Sequence, residues 1–406
     1  MPTLDRRLET SVAVLTSFGA VTVLFSIAAS ETFFALALLA LLVSVLVSQR
    51  PVEFPSRLGY PLVAFVAWTL LSLAFSDAPL RGLSQVRKIF LYLILVLVYN
   101  AYQSRRQILR TFQGILLAGA VASIGGLVQF FRDYVTLERK GVTFYNNYVA
   151  HQITGFMSHW LTYAGELMMV LLLLFSLLLF ASPARISRWW WLCLPAIALA
   201  LLASFTRGVW LGTLAGLAYL LARYRRPVFC LLVPAAVLAL YLVAPRTLQQ
   251  RERSIFDVQT DSSNRARIVM LHTGLAMIAA HPVFGVGPER VGPHFMDYKP
   301  SSMELPPGWY GHLHNDYLQV AAERGIPCLI IFIWLFIEIL HESFLLGRNP
   351  DPATRMMGHA EVAVTVGLMF AGLFEFNFGD SEVLMLYLFL IAAAVAWSRL
   401  PAEGTA

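Results

Sequence analysis

Apolar and polar residues alternate along the chain on the scale of whole helices. Apolar runs of about 17–22 residues, the length that crosses ~30 Å of hydrocarbon as a helix, recur between short, arginine-bearing connections. These runs exclude a barrel, whose strands of about 10 residues alternate apolar and polar positions. We predict twelve spanning helices, at 11–29, 32–48, 59–76, 89–103, 112–131, 162–181, 189–205, 209–222, 227–244, 326–346, 358–378 and 382–398.

The composition supports the same fold class. Of the 406 residues, 58% are hydrophobic and only 13% are charged, whereas a soluble domain needs a more highly charged surface. The predicted fold is therefore an all-α, polytopic membrane protein. The first run follows Arg6 and Arg7 as in a signal peptide, but a second run follows at once, so we expect a retained helix. No disulfide framework is indicated, because all the cysteines fall in or beside predicted spans: Cys193, Cys230 and Cys328.

The arginines of the short connections predict the orientation of the chain. If the twelve spans are threaded in order, these arginines all fall on one side, which the positive-inside rule assigns to the cytoplasm together with both termini. They are Arg6, Arg7, Arg50, Arg57, Arg105, Arg106, Arg110, Arg185, Arg188, Arg223, Arg225, Arg226, Arg348, Arg355 and Arg399.

The longest polar interruption, at 254–325, lies on the opposite side and divides the chain. We predict nine spanning helices in residues 1–245, a large loop that carries the chemistry in residues 246–325, and three more spanning helices in residues 326–406.

Two helices are predicted inside this loop. The first begins near Arg265, is capped by the polar run at 262–264, and ends at Pro282. Its apolar residues recur at helical spacing and predict an amphipathic helix on the membrane surface or on the bundle; they are Ile268, Leu271, Leu275 and Ile278. The second helix starts at Asn315 or Asp316 and stops near Gly325.

Several basic residues lie on the predicted outer side of the membrane, where the positive-inside rule does not account for them. Long loops ignore the positive-inside rule, and an interfacial arginine often only reaches towards headgroups. As a set, these cations favour an anionic ligand, and the planar guanidinium binds phosphate in a bidentate manner. They include Arg81, Arg87, Lys88, Arg207, Arg265 and Arg267.

His312 and His314 precede the second helix of the loop. Two histidines at this spacing can bind a metal, but the sequence offers no H-E-x-x-H motif and no third ligand at helical spacing. A neutral imidazole can instead accept a proton from an alcohol near pH 7. We therefore favour a general base. The glycines at 285 and 287 lack the context of a dinucleotide-binding motif, and the chain has no phosphate-binding loop of the nucleotidase type.

Together, these motifs resemble the O-antigen ligase and polymerase superfamily of bacterial envelopes, which includes protein O-oligosaccharyltransferases. The resemblance covers about 190–345. It is carried by 206–211 (TRGVWL), by Arg265 and Arg267, by 277–288 (MIAAHPVFGVGP), and by His314–Asn315 with Gly325. Cys328 departs from the family pattern, which has Gly, Thr or Tyr at that position.

The resemblance implies a glycosyltransferase of the GT-C type at the periplasmic face of the inner membrane. It would transfer O-antigen from undecaprenyl pyrophosphate to the lipid A–core oligosaccharide, without metal, cofactor or nucleic acid. His314 would be the base, and Arg207 with Arg265 would bind the pyrophosphate, although Arg267 fits the second position equally well. The remaining expected substrate-binding residues are His312, Arg81, Arg87 and Lys88, the last three facing core phosphates or membrane lipids.

Two other functions remain open at this stage. An O-antigen polymerase would use the same donor with a second lipid-linked glycan as acceptor. A transporter or flippase would need interrupted helices and polar groups at mid-membrane, often in two related halves. The concentration of polar residues on one face favours an interfacial enzyme.

Overall fold

The computed structural model describes residues 2–49, 51–149, 151–182, 187–224, 261–308 and 310–401. Within these ranges the regular elements are helical, as predicted. The predicted ninth span at 227–244 and the boundary at residue 245 lie outside the described residues. The same holds for Cys230 and for four of the topology arginines, Arg50, Arg185, Arg225 and Arg226, and the side chain of Arg87 is not described either.

The helices follow one another along the chain with short connections. They are α1 (Pro2–Thr22), α2 (Ile27–Ser48), α3 (Ser56–Ala74), α4 (Leu83–Lys88), a 3₁₀ turn (Ile89–Tyr92), α5 (Leu93–Ala101), α6 (Arg105–Arg139), α7 (Phe144–Tyr148), α8 (Trp160–Phe180), α9 (Arg188–Ala203), α10 (Arg207–Arg223), α11 (Ser262–Ala280), α12 (Val291–Tyr298), α13 (Asp316–Gly347), α14 (Pro352–Ala371), a second 3₁₀ turn (Asn377–Gly379) and α15 (Ser381–Arg399).

Six helices in the described part are long and apolar enough to cross a membrane: α2, α3, α6, α8, α13 and α15. Helices α8 and α15 are buried along most of their length and form the centre of the bundle. Helix α2 lies at the periphery, where it exposes large side chains such as Leu39 and Leu46, the latter 69% exposed. A helical bundle with a mainly apolar buried centre and an apolar outer surface is typical of a polytopic membrane protein.

The structure corrects several predicted ends. The predicted span at 11–29 crosses the break between α1 and α2, where the Ser26 hydroxyl accepts a hydrogen bond from the Ala29 amide (3.3 Å) and starts a new helix. Helix α14 ends at Ala371 rather than at 378. The carbonyl of the next residue, Gly372, accepts a hydrogen bond from the amide of Asp316 (2.7 Å).

Helix α11 is present in the loop, but its cap and its buried face differ from the prediction. Asp261, rather than the run at 262–264, caps the helix by accepting from the Asn264 amide (2.9 Å). The buried residues include Met270 and Met277, whereas Leu271 and Leu275 are 44% and 50% exposed. Apolar residues therefore occupy two faces of α11, and the prediction of a simple amphipathic helix was wrong.

The start of α13 is confirmed, because the Asn315 side chain caps it by accepting from the Leu318 amide (2.8 Å). Its break at Gly325 is also confirmed, since this residue has φ 82° and ψ 170°. The turn at 282–287 packs against that break, and the Val286 amide donates to the Ala322 carbonyl (2.8 Å). A β-carbon at Gly325 would lie 1.9 Å from the Val283 carbonyl oxygen.

The turn at 282–287 also contacts the end of α3 and so attaches the loop to the bundle. The ring of Phe284 stacks on Phe75 with 4.3 Å between centroids, and the Ser72 hydroxyl donates to the Phe284 carbonyl (2.7 Å). Just beyond α3, Asp77 accepts two hydrogen bonds from the Arg290 guanidinium, at 2.7 and 2.6 Å. The loop has a small apolar core of its own around Phe295, yet these contacts tie it to the bundle.

Replacing Gly325 by Ala should strongly destabilise the protein. The backbone conformation is one that only glycine adopts readily, and the added methyl group meets the backbone of the docking turn, so we expect a cost of roughly 2–5 kcal/mol. Gly308→Ala is the control, because its added carbon would meet only ordinary contacts at 3.8 Å or more. Thermal unfolding of both variants in detergent measures the difference. Equal unfolding temperatures would contradict the packing described for Gly325.

Replacing Asp77 by Asn should destabilise the protein at neutral pH by about 1–3 kcal/mol, between the values for exposed and buried pairs. Hydrogen bonds from Arg290 hold the pKa of Asp77 well below its usual range. Its stabilising effect is therefore present above about pH 4 and is lost as the pH falls further.

Chemical unfolding of both proteins at several pH values measures this difference, which should shrink only below about pH 4. Asp297→Asn is the control, because Asp297 is 66% exposed and, among the described residues, its ion pair is with the His294 ring and not with Arg290. A difference that stays constant down to the lowest pH would rule out the ion pair as its cause.

Candidate active site

Several helices begin at one end of the bundle, around the segment 372–380 that links α14 to α15. Each contributes a residue at or near its start that contacts this segment or its neighbours. Glycine 208 of α10 packs against Phe374, and Thr162 of α8 donates to Asp380 (2.9 Å). Because helix N-termini carry partial positive charge, their convergence favours an anionic ligand at this end.

Glu375 lies at the centre of this region, with its side chain only 3% exposed. Its Oε1 accepts from Arg267 Nη2 (2.7 Å), and its Oε2 accepts from His314 Nδ1 (3.1 Å). Burial alone would raise the pKa of Glu375, but the charge of Arg267 and the hydrogen bond from His314 outweigh it and hold the pKa below its ordinary value. Glu375 is therefore an ionised, buried carboxylate that joins the loop to the bundle.

His314 adopts a left-handed backbone conformation with φ 45°, which is uncommon and costly outside glycine. Its amide donates to His312 Nδ1 (3.2 Å), which helps to hold this geometry. Because its own Nδ1 donates to Glu375, the proton of the neutral ring is placed on Nδ1 and Nε2 is left as the acceptor. In its neutral form the ring therefore presents Nε2 as an oriented hydrogen-bond acceptor.

His312 packs beside His314, with 4.3 Å between ring centroids, and its ring also contacts Phe376. Burial, with a further contribution from His314, lowers the pKa of His312 to about 3. The ring is therefore neutral at physiological pH. It can exchange hydrogen bonds with a ligand, but it adds no charge.

The three predicted arginines differ in their surroundings. Arg207, at the start of α10, is 7% exposed and donates to Asp261 Oδ1 (3.2 Å). Arg267 donates to the Phe374 carbonyl (3.1 Å) as well as to Glu375, so it lies directly beside His314. Arg265 is exposed and forms no ion pair with the described residues. The structure thus brings Arg207 and Arg267, rather than Arg265, into the buried cluster.

Lys88 also reaches this region, since its Nζ donates to the Gly379 carbonyl (2.6 Å). It lines a small cavity of about 30 Å³ together with the buried Arg324, whose guanidinium lies 5.6 Å from the ring centroid of Phe65. Arg81 is exposed, in the connection before α4. Of the predicted cations near α4, the described structure therefore brings Lys88 to the site.

Sequence reasoning missed Glu375, Asp261 and His159. His159 caps α8 by accepting from the Leu161 amide (3.2 Å), and burial lowers the pKa of its ring. The charges of Glu375 and His314 also act on this ring, which places it near the cluster. The one available signal for Glu375 was a carboxylate near the end of an apolar run, and the predicted span at 358–378 concealed it inside a helix.

Replacing Glu375 by Gln should loosen the attachment of the loop. The variant keeps the shape of the side chain but leaves Arg267 without its buried counter-charge, a change that typically costs about 3–5 kcal/mol. Faster amide hydrogen exchange is expected in the first turns of α11 and around His314. Glu304→Gln serves as the control, because Glu304 is exposed. Unchanged exchange in the Glu375 variant would contradict the role assigned to this carboxylate.

Comparison with known proteins gives two matches. A family model described as O-antigen ligase matches residues 191–333, which contain Arg207, Arg267, His312 and His314 but not Glu375. A candidate polysaccharide ligase of Rickettsia prowazekii is 24% identical over 297 residues, covering 68% of this chain and 67% of that protein. The resemblance to the O-antigen ligase family that was inferred from the sequence is therefore confirmed over residues 191–333.

Proposed function

We propose that this protein is an O-antigen ligase, a metal-independent glycosyltransferase of the GT-C type with twelve spanning helices. It transfers O-antigen polysaccharide from undecaprenyl pyrophosphate to the lipid A–core oligosaccharide. The site faces the periplasm at the inner membrane, and both termini face the cytoplasm, as the positive-inside rule predicts. The hydrogen bond between His314, which lies in the segment that matches the O-antigen ligase family, and the buried Glu375 is the observation that carries this proposal.

The proposed reaction is a single displacement. The acceptor hydroxyl gives its proton to His314 Nε2 while its oxygen attacks the anomeric carbon of the donor. The bond from that carbon to the pyrophosphate oxygen breaks, and the electron pair leaves with undecaprenyl pyrophosphate. Direct attack inverts the anomeric centre. Glu375 holds the ring in the required tautomer and stabilises the imidazolium that forms, as a carboxylate does for other histidine bases.

The leaving pyrophosphate needs fixed positive charge. We assign this role to Arg207 and Arg267, which lie in the buried cluster, and give Arg265 a peripheral role because it is exposed. Removing one such electrostatic donor typically costs about 3–4 kcal/mol in the transition state. The helix N-termini that converge at the site add to the attraction for the anion. We assign further substrate contacts to Lys88 and His312, and the binding of core phosphates or membrane lipids to Arg81 and Arg87.

A ligase is favoured over a polymerase because the matching family is described as O-antigen ligase and the Rickettsia protein as a polysaccharide ligase. A transporter is disfavoured, since the described polar cluster lies at one end of the bundle. Of the described spanning helices, α13 carries a glycine in a non-helical conformation, and this break at Gly325 packs against the turn at 282–287 of the loop.

The proposal is tested with purified protein, lipid-linked O-antigen and rough lipopolysaccharide in a transfer assay read on gels. His314→Ala should reduce the rate by roughly 10²–10⁴-fold, the usual effect of losing a general base. Arg207→Ala and Arg267→Ala should each reduce it about 100-fold or more. Arg265→Ala is the matched control, an exposed arginine on the same helix as Arg267, and should retain activity near that of the wild type.

Near wild-type transfer by both His314→Ala and Arg207→Ala would refute the assignment of the site. The assay also separates the two enzyme classes. A ligase forms no product without lipopolysaccharide, whereas a polymerase lengthens the lipid-linked glycan when the donor is supplied alone.

A further inference from the structure

A second polar cavity lies at the opposite end of the bundle. Helices α8, α10 and α13 all begin near the candidate site and end around this cavity, which has a volume of about 760 Å³. Since α8 has 21 residues and a helix rises 1.5 Å per residue, the two ends are separated by about 30 Å. The cavity is lined by Arg223, Arg348, Arg355, His359 and Phe180, among others.

The three arginines come from different elements and crowd together despite their like charge. Arg223 lies at the end of α10, Arg348 directly follows α13, and Arg355 lies in the first turn of α14. The guanidinium carbons of Arg223 and Arg348 lie 5.6 and 4.7 Å from the centroid of one shared ring, Phe344. Cation–π contacts partly offset the repulsion, but they do not neutralise the charge.

The acidic residues closest in sequence are engaged elsewhere. Glu342 accepts from Arg57 (2.9 Å), and Asp351 lies 3.7 Å from Arg105 while it caps α14. Among the described residues, no carboxylate forms an ion pair with the three arginines of the cavity. The described part of the cavity wall therefore carries positive charge that no described carboxylate compensates.

His359 supplies a directional group at the wall of the cavity. It is 2% exposed, and its Nδ1 lies 3.0 Å from the Tyr219 hydroxyl. When that hydroxyl donates to Nδ1, the ring proton lies on Nε2, which is then a hydrogen-bond donor. Phe180, whose ring lies 4.3 Å from that of His359, adds an apolar surface beside the cations. The positive charge of the arginines, the buried Nε2 donor of His359 and the apolar ring of Phe180 together suit an amphipathic anion.

Arginines at this end of a membrane protein are ordinarily explained by topology alone. Topology requires cations in the connections, but it does not require arginines from three elements to line one cavity of this size. We propose that this cavity binds the phosphate group of an anionic phospholipid. Basic pockets between spanning helices on the cytoplasmic side are suited to such headgroups. The inference does not depend on the reaction proposed above.

The test uses the full-length protein in nanodiscs of phosphatidylcholine, with or without a minor fraction of phosphatidylglycerol, and native mass spectrometry to count retained lipids. The variant Arg348→Gln/Arg355→Gln should bind phosphatidylglycerol roughly thirtyfold more weakly, given about fivefold for each cation near the membrane surface. Arg348→Lys/Arg355→Lys keeps the charge and should retain most of the binding.

The matched control is Arg106→Gln/Arg110→Gln, which removes the same charge from two exposed arginines of α6 on the same predicted side. In a second arm, inorganic phosphate is titrated onto protein in pure phosphatidylcholine discs, and the unfolding temperature is followed. Stabilisation by phosphate that is lost only in the cavity variant would support the same phosphate site with a soluble source.

Loss of phosphatidylglycerol in the cavity variant alone supports the proposal with a lipid source. Equal losses in the cavity variant and in the α6 control would show only a general charge effect and would overturn it. Unchanged binding of both phosphatidylglycerol and phosphate by the cavity variant would also overturn it.

Discussion

The buried carboxylate of Glu375 is the group on which the rest of the site depends. An isolated carboxylate is costly to bury, and Glu375 is compatible with its position because Arg267 and His314 both donate to it. One residue of the segment between α14 and α15 thereby fixes an arginine at the start of α11 and an imidazole just before α13. Two hydrogen bonds to one side chain therefore connect elements that are far apart in sequence.

The position of this cluster depends in turn on how the loop is attached to the membrane helices. The loop has a small core of its own, which is too small to hold it independently of the bundle. Its turn at 282–287 fits against the break in α13 at Gly325 and stacks Phe284 on Phe75. The site is therefore built across a docked interface, and the backbone of a single glycine sets how closely the two parts approach.

The sequence was sufficient to predict what depends on local pattern. The start of α13 at Asn315 and the break at Gly325 follow from residue type and spacing, as do the six described helices that are long and apolar enough to cross a membrane. Contacts between residues that are distant in sequence could not be predicted from this local pattern. Glu375 was placed inside a span because apolar periodicity does not mark where a helix ends against another chain segment. The face of α11 was misjudged because Leu271 and Leu275 fit a helical period whether or not that side is covered.

Asp261 has a further consequence for how a ligand and the fold are coupled. Its Oδ1 both receives Arg207 and caps the first turn of α11. An anion that binds Arg207 competes with Asp261 for the guanidinium. The hydrogen bond from the Asn264 amide to Asp261 Oδ1 can remain in place. Arg207 can thus exchange one negative partner for another without unwinding the helix that carries Arg267. The carboxylate is a counter-ion within the fold that holds Arg207 in place, and in the proposed reaction a phosphate of the donor would replace it at little reorganisation cost.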